Sequence, residues 1–153
     1  MSALVGASAW RAAGRGLVLF PAAVGRLVAG IGQGRGGLVL RGGCGVALGL
    51  FGWAVALLAG QATANGLLYP LIDAHDYEHS WGGPTLVGAW VVHALVAVPV
   101  VLAALGVLRG VAAADRALEP PASGGRRPWW PVALSVVFAL LAVLLVNAWL
   151  HQL

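Results

Sequence analysis

Three stretches of the chain are apolar for long enough to cross a bilayer as helices. Each runs for about twenty residues without a charged side chain, and about twenty helical residues span the hydrocarbon core. The second stretch contains His93 and Pro99, and Pro99 removes one helix donor. We therefore expect a kink near the carbonyl of Leu95. The predicted spans are 44–68, 86–108 and 129–150.

Residues 1–43 differ from these spans, because glycine and arginine interrupt their hydrophobic runs. At about 100° per residue, Arg11, Arg15 and Arg26 fall on one side of a helix, and most of the large apolar residues fall elsewhere. This pattern predicts an amphipathic helix that lies along the membrane interface and is broken at Pro21. The alternative is a cleaved signal peptide. It is disfavoured because Arg26 follows a short apolar run and no clean cleavage site appears.

The composition agrees with a membrane protein. Hydrophobic residues make up 60% of the chain and charged residues only 9%, with a mean hydropathy of +0.89. A soluble surface needs about 25% charged residues, so a soluble domain and a disordered chain are both excluded. The predicted fold class is all-α: a polytopic membrane protein with three transmembrane helices preceded by an amphipathic interfacial helix. The connecting segments are 69–85 and 109–128, with a tail at 151–153.

The basic residues predict an orientation for these three spans. All nine are arginine, and all flank the same predicted side of the membrane, in segments 1–43 and 109–128. The positive-inside rule places that side in the cytoplasm, with the carboxyl terminus outside a plasma (inner) membrane. With Asp115 and Glu119, the inner segments carry +7, whereas the acidic loop 69–85 carries −3, which accounts for the net +4.

Tryptophan and tyrosine mark the two predicted membrane boundaries. Trp129 and Trp130 stand at the inner one. The residues near the outer one are Trp81, Trp90, Trp149, Tyr69 and Tyr77. Aromatic belts of this kind are typical of membrane interfaces. The basic isoelectric point of about 10.7 is therefore attributed to the membrane flanks, and nucleic acid is excluded as a partner.

Small residues recur every three or four positions along the first predicted span. Such spacing lets helix backbones approach closely, which favours association in lipid, where hydrophobic burial provides little drive. We interpret it as a packing seam, although a chain rich in glycine and alanine also produces this spacing by chance. The seam comprises Gly45, Gly49, Gly52, Ala56 and Gly60.

His93 is the most informative single residue, since it lies about 10 Å inside the second predicted span. Ionisable groups at this depth usually face protein or water. Gln61, Asn65 and Asn147 have similar predicted depths and form a candidate polar cluster with it. The cluster has two interpretations: hydrogen-bonded adhesion between helices, or a site where His93 accepts a proton or binds a ligand. A bis-histidine haem is disfavoured, because His151 is too close to the surface.

The acidic loop contains a candidate metal site. If DAHDYEH is helical, His75 and His79 lie one turn apart, and Asp76 or Glu78 could add oxygen ligands for a divalent metal such as zinc. The alternative is a hydrated acidic loop. The string also fits H-x-x-E-H, but the chain is too small for that class of protease. No other cofactor is expected.

Catalytic motifs such as a P-loop, a nucleophile elbow or a dinucleotide fingerprint do not occur in the sequence. The lone Cys44 cannot form an intrachain disulfide and suits a buried position. We therefore expect a small accessory or scaffolding subunit of a membrane complex, non-enzymatic by itself, partnered by the lipid bilayer and by another membrane protein or itself. The alternatives are a membrane site that binds a metal, proton or small ligand through His93 or His75/His79, and an oligomeric pore or transporter component.

Overall fold

Helices account for nearly all of the structure, a computed structural model that describes residues 6–72, 75, 77–119 and 128–151. Within these residues the chain contains no strand, and a single 3-10 turn, Tyr77–His79, lies between the second and third helices. The all-α prediction is therefore confirmed for this part of the chain. The helices are α1 (Ala7–Gly32), α2 (Gly36–Ile72), α3 (Leu86–Ala117) and α4 (Trp130–Leu150).

The number of spans differs from the prediction. All four helices are long and apolar enough to cross a membrane, so the described residues contain four candidate spans rather than three. The additional one is Trp10–Gly32 of α1, in the segment predicted to lie flat at the interface. Gly30 packs against Val39 and Gly49 against Phe20, so α1 runs antiparallel along α2. A helix aligned with a spanning helix cannot lie flat on the same bilayer.

A tight turn reverses the chain between α1 and α2. The N–H of Gly34 donates to the carbonyl of Ile31 at 3.2 Å, and that of Arg35 donates to Gly30 at 2.9 Å. These two bonds form a Schellman motif, which needs a left-handed residue at its centre. Gly34 fills that position with φ +61°, which is why the helix ends here and not at Pro21. We call this end of the bundle the hairpin end, and the opposite end, beside residues 75–85, the loop end.

Pro21 lies inside α1, and the helix continues through it, contrary to the predicted break. Proline has no N–H, so the carbonyl four residues earlier, that of Leu17, loses its helical donor. The indole Nε1 of Trp53 on α2 donates to this carbonyl at 2.9 Å. The interruption in α1 thus becomes a hydrogen bond between α1 and α2.

Pro70 near the end of α2 has the same arrangement. It releases the carbonyl of Gly66, and Trp90 Nε1 on α3 donates to that oxygen at 2.9 Å. In hydrocarbon, an orphaned carbonyl costs several kcal/mol, so each tryptophan supplies a donor that lipid cannot provide. Trp53 therefore links α2 to α1, and Trp90 links α3 to α2, each through a carbonyl that a proline has released.

The centre of the bundle is α2, which packs against each of the other three helices. Leu48 and Phe51 of α2 lie in a core with Leu19 of α1 and Val111 of α3. Phe51 also stacks on Phe138 of α4, with ring centroids 4.5 Å apart. α4 has few contacts with α3, so α2 holds it in place almost alone. Cys44 is buried in the same core, in agreement with the expected position.

Candidate functional site

A cleft of about 420 Å³ lies between α2, α3 and the chain segment that joins them at the loop end. Most of its wall is apolar, and the indole of Trp81 forms part of it. Three polar side chains line the same cleft, and among the residues that the structure describes no acid, lysine or arginine lines it. We call it the His93 cleft, and its polar members are Asn65, Ser80 and His93.

The hydrogen bonds of His93 define which ring nitrogen is available. Its Nδ1 lies 2.8 Å from the carbonyl oxygen of Ala89, one turn earlier in α3. A carbonyl oxygen can only accept, so Nδ1 carries the proton and donates it. In the neutral ring, Nε2 is then an acceptor, and no described side chain donates to it. With the proton of a neutral ring on Nδ1, His93 therefore brings an unpaired acceptor nitrogen to the cleft that it lines.

Tyr69 holds the imidazole plane in position. Its ring stacks on His93 with centroids 4.2 Å apart and planes 22° from parallel. Tyr69 as a residue is only 4% exposed, and its phenol hydroxyl donates to Ser80 Oγ at 2.5 Å. Tyr69 thus connects the end of α2 to the segment before α3 and leaves the imidazole little freedom to rotate. The sequence interpretation treated this tyrosine as part of the interfacial belt and missed its contact with His93.

The start of α3 is fixed by a side-chain cap. Thr85 is its N-cap residue, and the hydroxyl oxygen accepts a hydrogen bond from the N–H of Gly88 at 3.1 Å. Caps of this type satisfy one of the helix donors that lack an internal partner. Since His93 lies two turns further on, the cap and the Trp90 bond to Gly66 together set its height relative to α2.

The structure brings together two of the four residues in the predicted polar cluster. Asn65 and His93 line the His93 cleft. Gln61 lines a different apolar cleft between α2 and α4, and Asn147 lines a third, also between these helices. All three amides are exposed rather than buried within the bundle. His93 accordingly has one predicted neighbour, Asn65, and two that the prediction lacked, Tyr69 and Ser80.

The candidate metal residues lie in and around the 3-10 turn. His75, Glu78 and His79 are exposed, and Asp76 lies outside the described residues. The 3-10 conformation extends only over Tyr77–His79, so the described segment does not form the α-helical turn on which the predicted i, i+4 pairing depended. Among the residues that the structure describes, no three histidine, cysteine or acidic side chains form a group that could hold a metal.

The predicted small-residue seam packs mainly against α1. A Cβ atom at Gly49 would lie 2.7 Å from the Cα of Phe20, and one at Gly45 would lie 2.8 Å from the Cβ of Ala23. Gly52 faces Leu108 of α3 and the backbone of Gly16, whereas Gly60 has open space in front of it. Ala56 is half-buried. Gly42, which the predicted seam omits, makes a closer approach to α1 than either Gly45 or Gly49, with a Cβ position 2.5 Å from the backbone nitrogen of Leu27.

Two ion pairs join the helices at the hairpin end, and sequence reasoning missed both. Arg26 of α1 donates through Nη2 to Asp115 Oδ1 of α3 at 2.9 Å, across the face of Gly45. Arg41 of α2 donates to Glu119 Oε1 at 2.8 Å, just beyond the end of α3. The partners are 89 and 78 residues apart in sequence. We call them the hairpin-end ion pairs.

No protein-family model, curated protein or solved structure matches this chain. The interpretation of its sites therefore depends on the chemistry and geometry of its own residues.

Proposed function

We propose that the protein is a small accessory or scaffolding subunit of a membrane-protein complex, non-enzymatic by itself. In this proposal, a transmembrane helix of the partner protein occupies a groove of about 600 Å³ between α2 and α4. This open groove beside the least supported helix is the observation that carries the proposal. We call it the α2–α4 groove, and its small residues are Gly43, Ala47, Ala54, Ala139 and Ala142.

Two properties of the groove favour a protein helix over a lipid chain. Gly43 has no atom within 4 Å of the position of a Cβ, so a neighbouring backbone can approach closely. Asn147 also lines the groove, and its side-chain amide has no hydrogen-bond partner among the described residues. An acyl chain has no hydrogen-bond donor or acceptor for the Asn147 amide, whereas a partner helix can supply a polar side chain or a carbonyl.

A matched pair of leucine substitutions tests this role. Gly43 and Gly60 are both exposed glycines of α2 with open space around them, but only Gly43 lines the groove. We expect Gly43→Leu to lower the amount of partner recovered with the tagged protein by about tenfold, a loss equivalent to roughly 1.4 kcal/mol of binding free energy. Gly60→Leu is expected to leave recovery unchanged. The measurement is quantitative mass spectrometry after purification from native membranes in mild detergent.

The same purification has outcomes that would contradict the proposal. A wild-type protein that purifies as a partnerless monomer would do so, as would equal recovery from both leucine variants. A second copy of this chain as the sole partner would indicate a self-associating protein instead of an accessory subunit. Photocrosslinking from Ala139 identifies which of these occupies the groove.

We also propose an orientation in a plasma (inner) membrane. With α1 crossing alongside α2, the hairpin end and the end of α3 share one side. Five of the seven arginines among the described residues belong to that half, and the sequence that joins α3 to α4 contains two more. The positive-inside rule places that half in the cytoplasm. Both termini then lie outside, so the amino terminus moves from the side expected for three spans. Arg11 and Arg15, in the first turns of α1, can extend their side chains to the outer interface.

Cysteine labelling distinguishes this orientation from the one with three spans. In a Cys44→Ala background, we expect Ser8→Cys and His151→Cys to react with a membrane-impermeant maleimide on intact cells. Gln33→Cys is expected to react only after permeabilisation. With an interfacial leader, residues 8 and 33 would share a side, so protection of both positions, with reaction at 151 alone, would contradict a crossing α1.

A further inference from the structure

The His93 cleft has features that select one chemical class of ligand. Among the described residues, its lining contains no formally charged side chain, and moving an ion into such a place without a counter-charge is costly. The ligand is therefore neutral. The walls contributed by Ala62, Val92 and Val96 are apolar, as is the face of the Trp81 indole. Most of the surface of a well-matched ligand is then apolar as well.

The polar side of the cleft specifies the head of that ligand. In the neutral ring with its one proton on Nδ1, bound to the carbonyl of Ala89, His93 Nε2 accepts a hydrogen bond and does not donate one. The Tyr69 stack keeps this nitrogen in a defined position. Asn65 lines the same cleft, and its amide has no hydrogen-bond partner among the described residues. A hydroxyl group has the matching chemistry, since it can donate to an imidazole nitrogen and accept from an amide N–H.

We propose that the His93 cleft binds a neutral, membrane-soluble molecule with an apolar body and a hydroxyl head, of the phenol or hydroquinone type. The hydroxyl donates to His93 Nε2, and the ring packs against Trp81. A cleft of about 420 Å³ lies within the usual range for small-molecule sites and accommodates a substituted aromatic ring. This site is separate from the α2–α4 groove, so it stands or falls independently of the accessory role.

Binding of a pair of simple probes tests the proposal. The full-length protein in lipid nanodiscs is titrated with hexylphenol and with its methyl ether, hexylanisole, which has a methyl group in place of the hydroxyl hydrogen and therefore cannot donate. We expect the phenol to bind at least about tenfold more tightly, as the loss of one hydrogen bond to a site built for it implies. Equal affinity for the two probes would overturn the proposal, because partition into lipid alone predicts that result.

Two valine positions of α3 supply a matched control. Val96 lines the cleft and Val98 does not, and both are about half exposed, at 48% and 58%. We expect Val96→Phe to fill the cleft and weaken hexylphenol binding by about tenfold or more, whereas Val98→Phe leaves it unchanged. Equal weakening by both substitutions, or by neither, would contradict binding in this cleft.

Nitrogen NMR of histidine-labelled protein examines the proposed hydrogen bond directly. We expect His93, identified by loss of its signal in His93→Gln, to be the neutral tautomer with the proton on Nδ1. Hexylphenol should shift the Nε2 resonance, and hexylanisole should not. A purely structural histidine would show the tautomer without the shift, and that outcome would overturn the proposal even if the variants were less stable.

Discussion

Gly42→Val is expected to separate α1 from α2 and to lower the free energy of unfolding by about 3 kcal/mol. A Cβ at Gly42 would lie 2.5 Å from the backbone nitrogen of Leu27 and 2.6 Å from its Cα. Backbone atoms cannot rotate away as the end of a side chain can, so the whole hairpin has to open. Equilibrium unfolding in mixed detergent micelles, followed by circular dichroism, measures the loss.

The adjacent glycine provides the control for this substitution. A Cβ at Gly43 would meet no atom within 4 Å. Gly43→Val changes helix propensity by the same amount at nearly the same depth, so the difference between the two variants isolates the contact with Leu27. Gly43→Val is expected to stay within about 0.5 kcal/mol of the wild type. Similar losses at both positions would mean that α1 does not pack on this face.

The hairpin-end ion pairs explain why the sequence located α3 and α4 but placed α1 at the membrane interface. Both of the former contain long uncharged runs, and their hydrophobicity alone locates them. The amino-terminal region contains Arg26 and Arg41, which read as interruptions when each is considered alone. Their partners, Asp115 and Glu119, lie in the last turn of α3 and just beyond its end, far away in the sequence. No local pattern contains that pairing, so α1 resembled an interfacial segment.

The proline in α1 illustrates a second limit of local reasoning. Pro21 predicts a break because it removes one helical hydrogen bond, and the physical statement is correct. What the sequence does not show is that Trp53 supplies the missing donor from α2. The sequence pattern assigns Trp90 to an aromatic belt and gives Trp53 no role, yet both are hydrogen-bonded to carbonyls released by proline. The pair only becomes visible once the register of α1 and α2 is known.

The sequence predicts the depth of each member of the polar cluster, but not the direction in which its helix face points. Depth along each helix placed Asn65 near His93, and the structure puts both in one cleft. Depth does not fix which way a helix faces, and so Gln61 and Asn147 line clefts beside α4 instead. The orientation of the imidazole depends on the Tyr69 ring, whose contact with His93 requires the chain reversal between α2 and α3.

Loss of the charge on Asp115 is expected to destabilise the hairpin end by about 2 kcal/mol. Asp115→Asn keeps the size of the side chain but leaves the Arg26 cation without its counter-charge, at a site where the side chains are 24% and 14% exposed. The Nε–H of Arg26 is buried and has no acceptor among the described residues, so Asp115, which accepts from Nη2, supplies the compensation for this cation. Glu119→Gln is the matched control. Its loss should be below about 1 kcal/mol, since the Glu119 side chain is 55% exposed and water screens the pair.

A double substitution separates the ion pair from other effects at position 115. If the loss in Asp115→Asn comes from an uncompensated cation, then removing that cation as well should recover part of it. We expect Arg26→Gln with Asp115→Asn to be more stable than Asp115→Asn alone, by about 1 kcal/mol in mixed-micelle unfolding. Strictly additive losses would show that the two side chains act independently. In that case the close approach of Gly16 to Leu108, and not the ion pair, would hold α1 against α3.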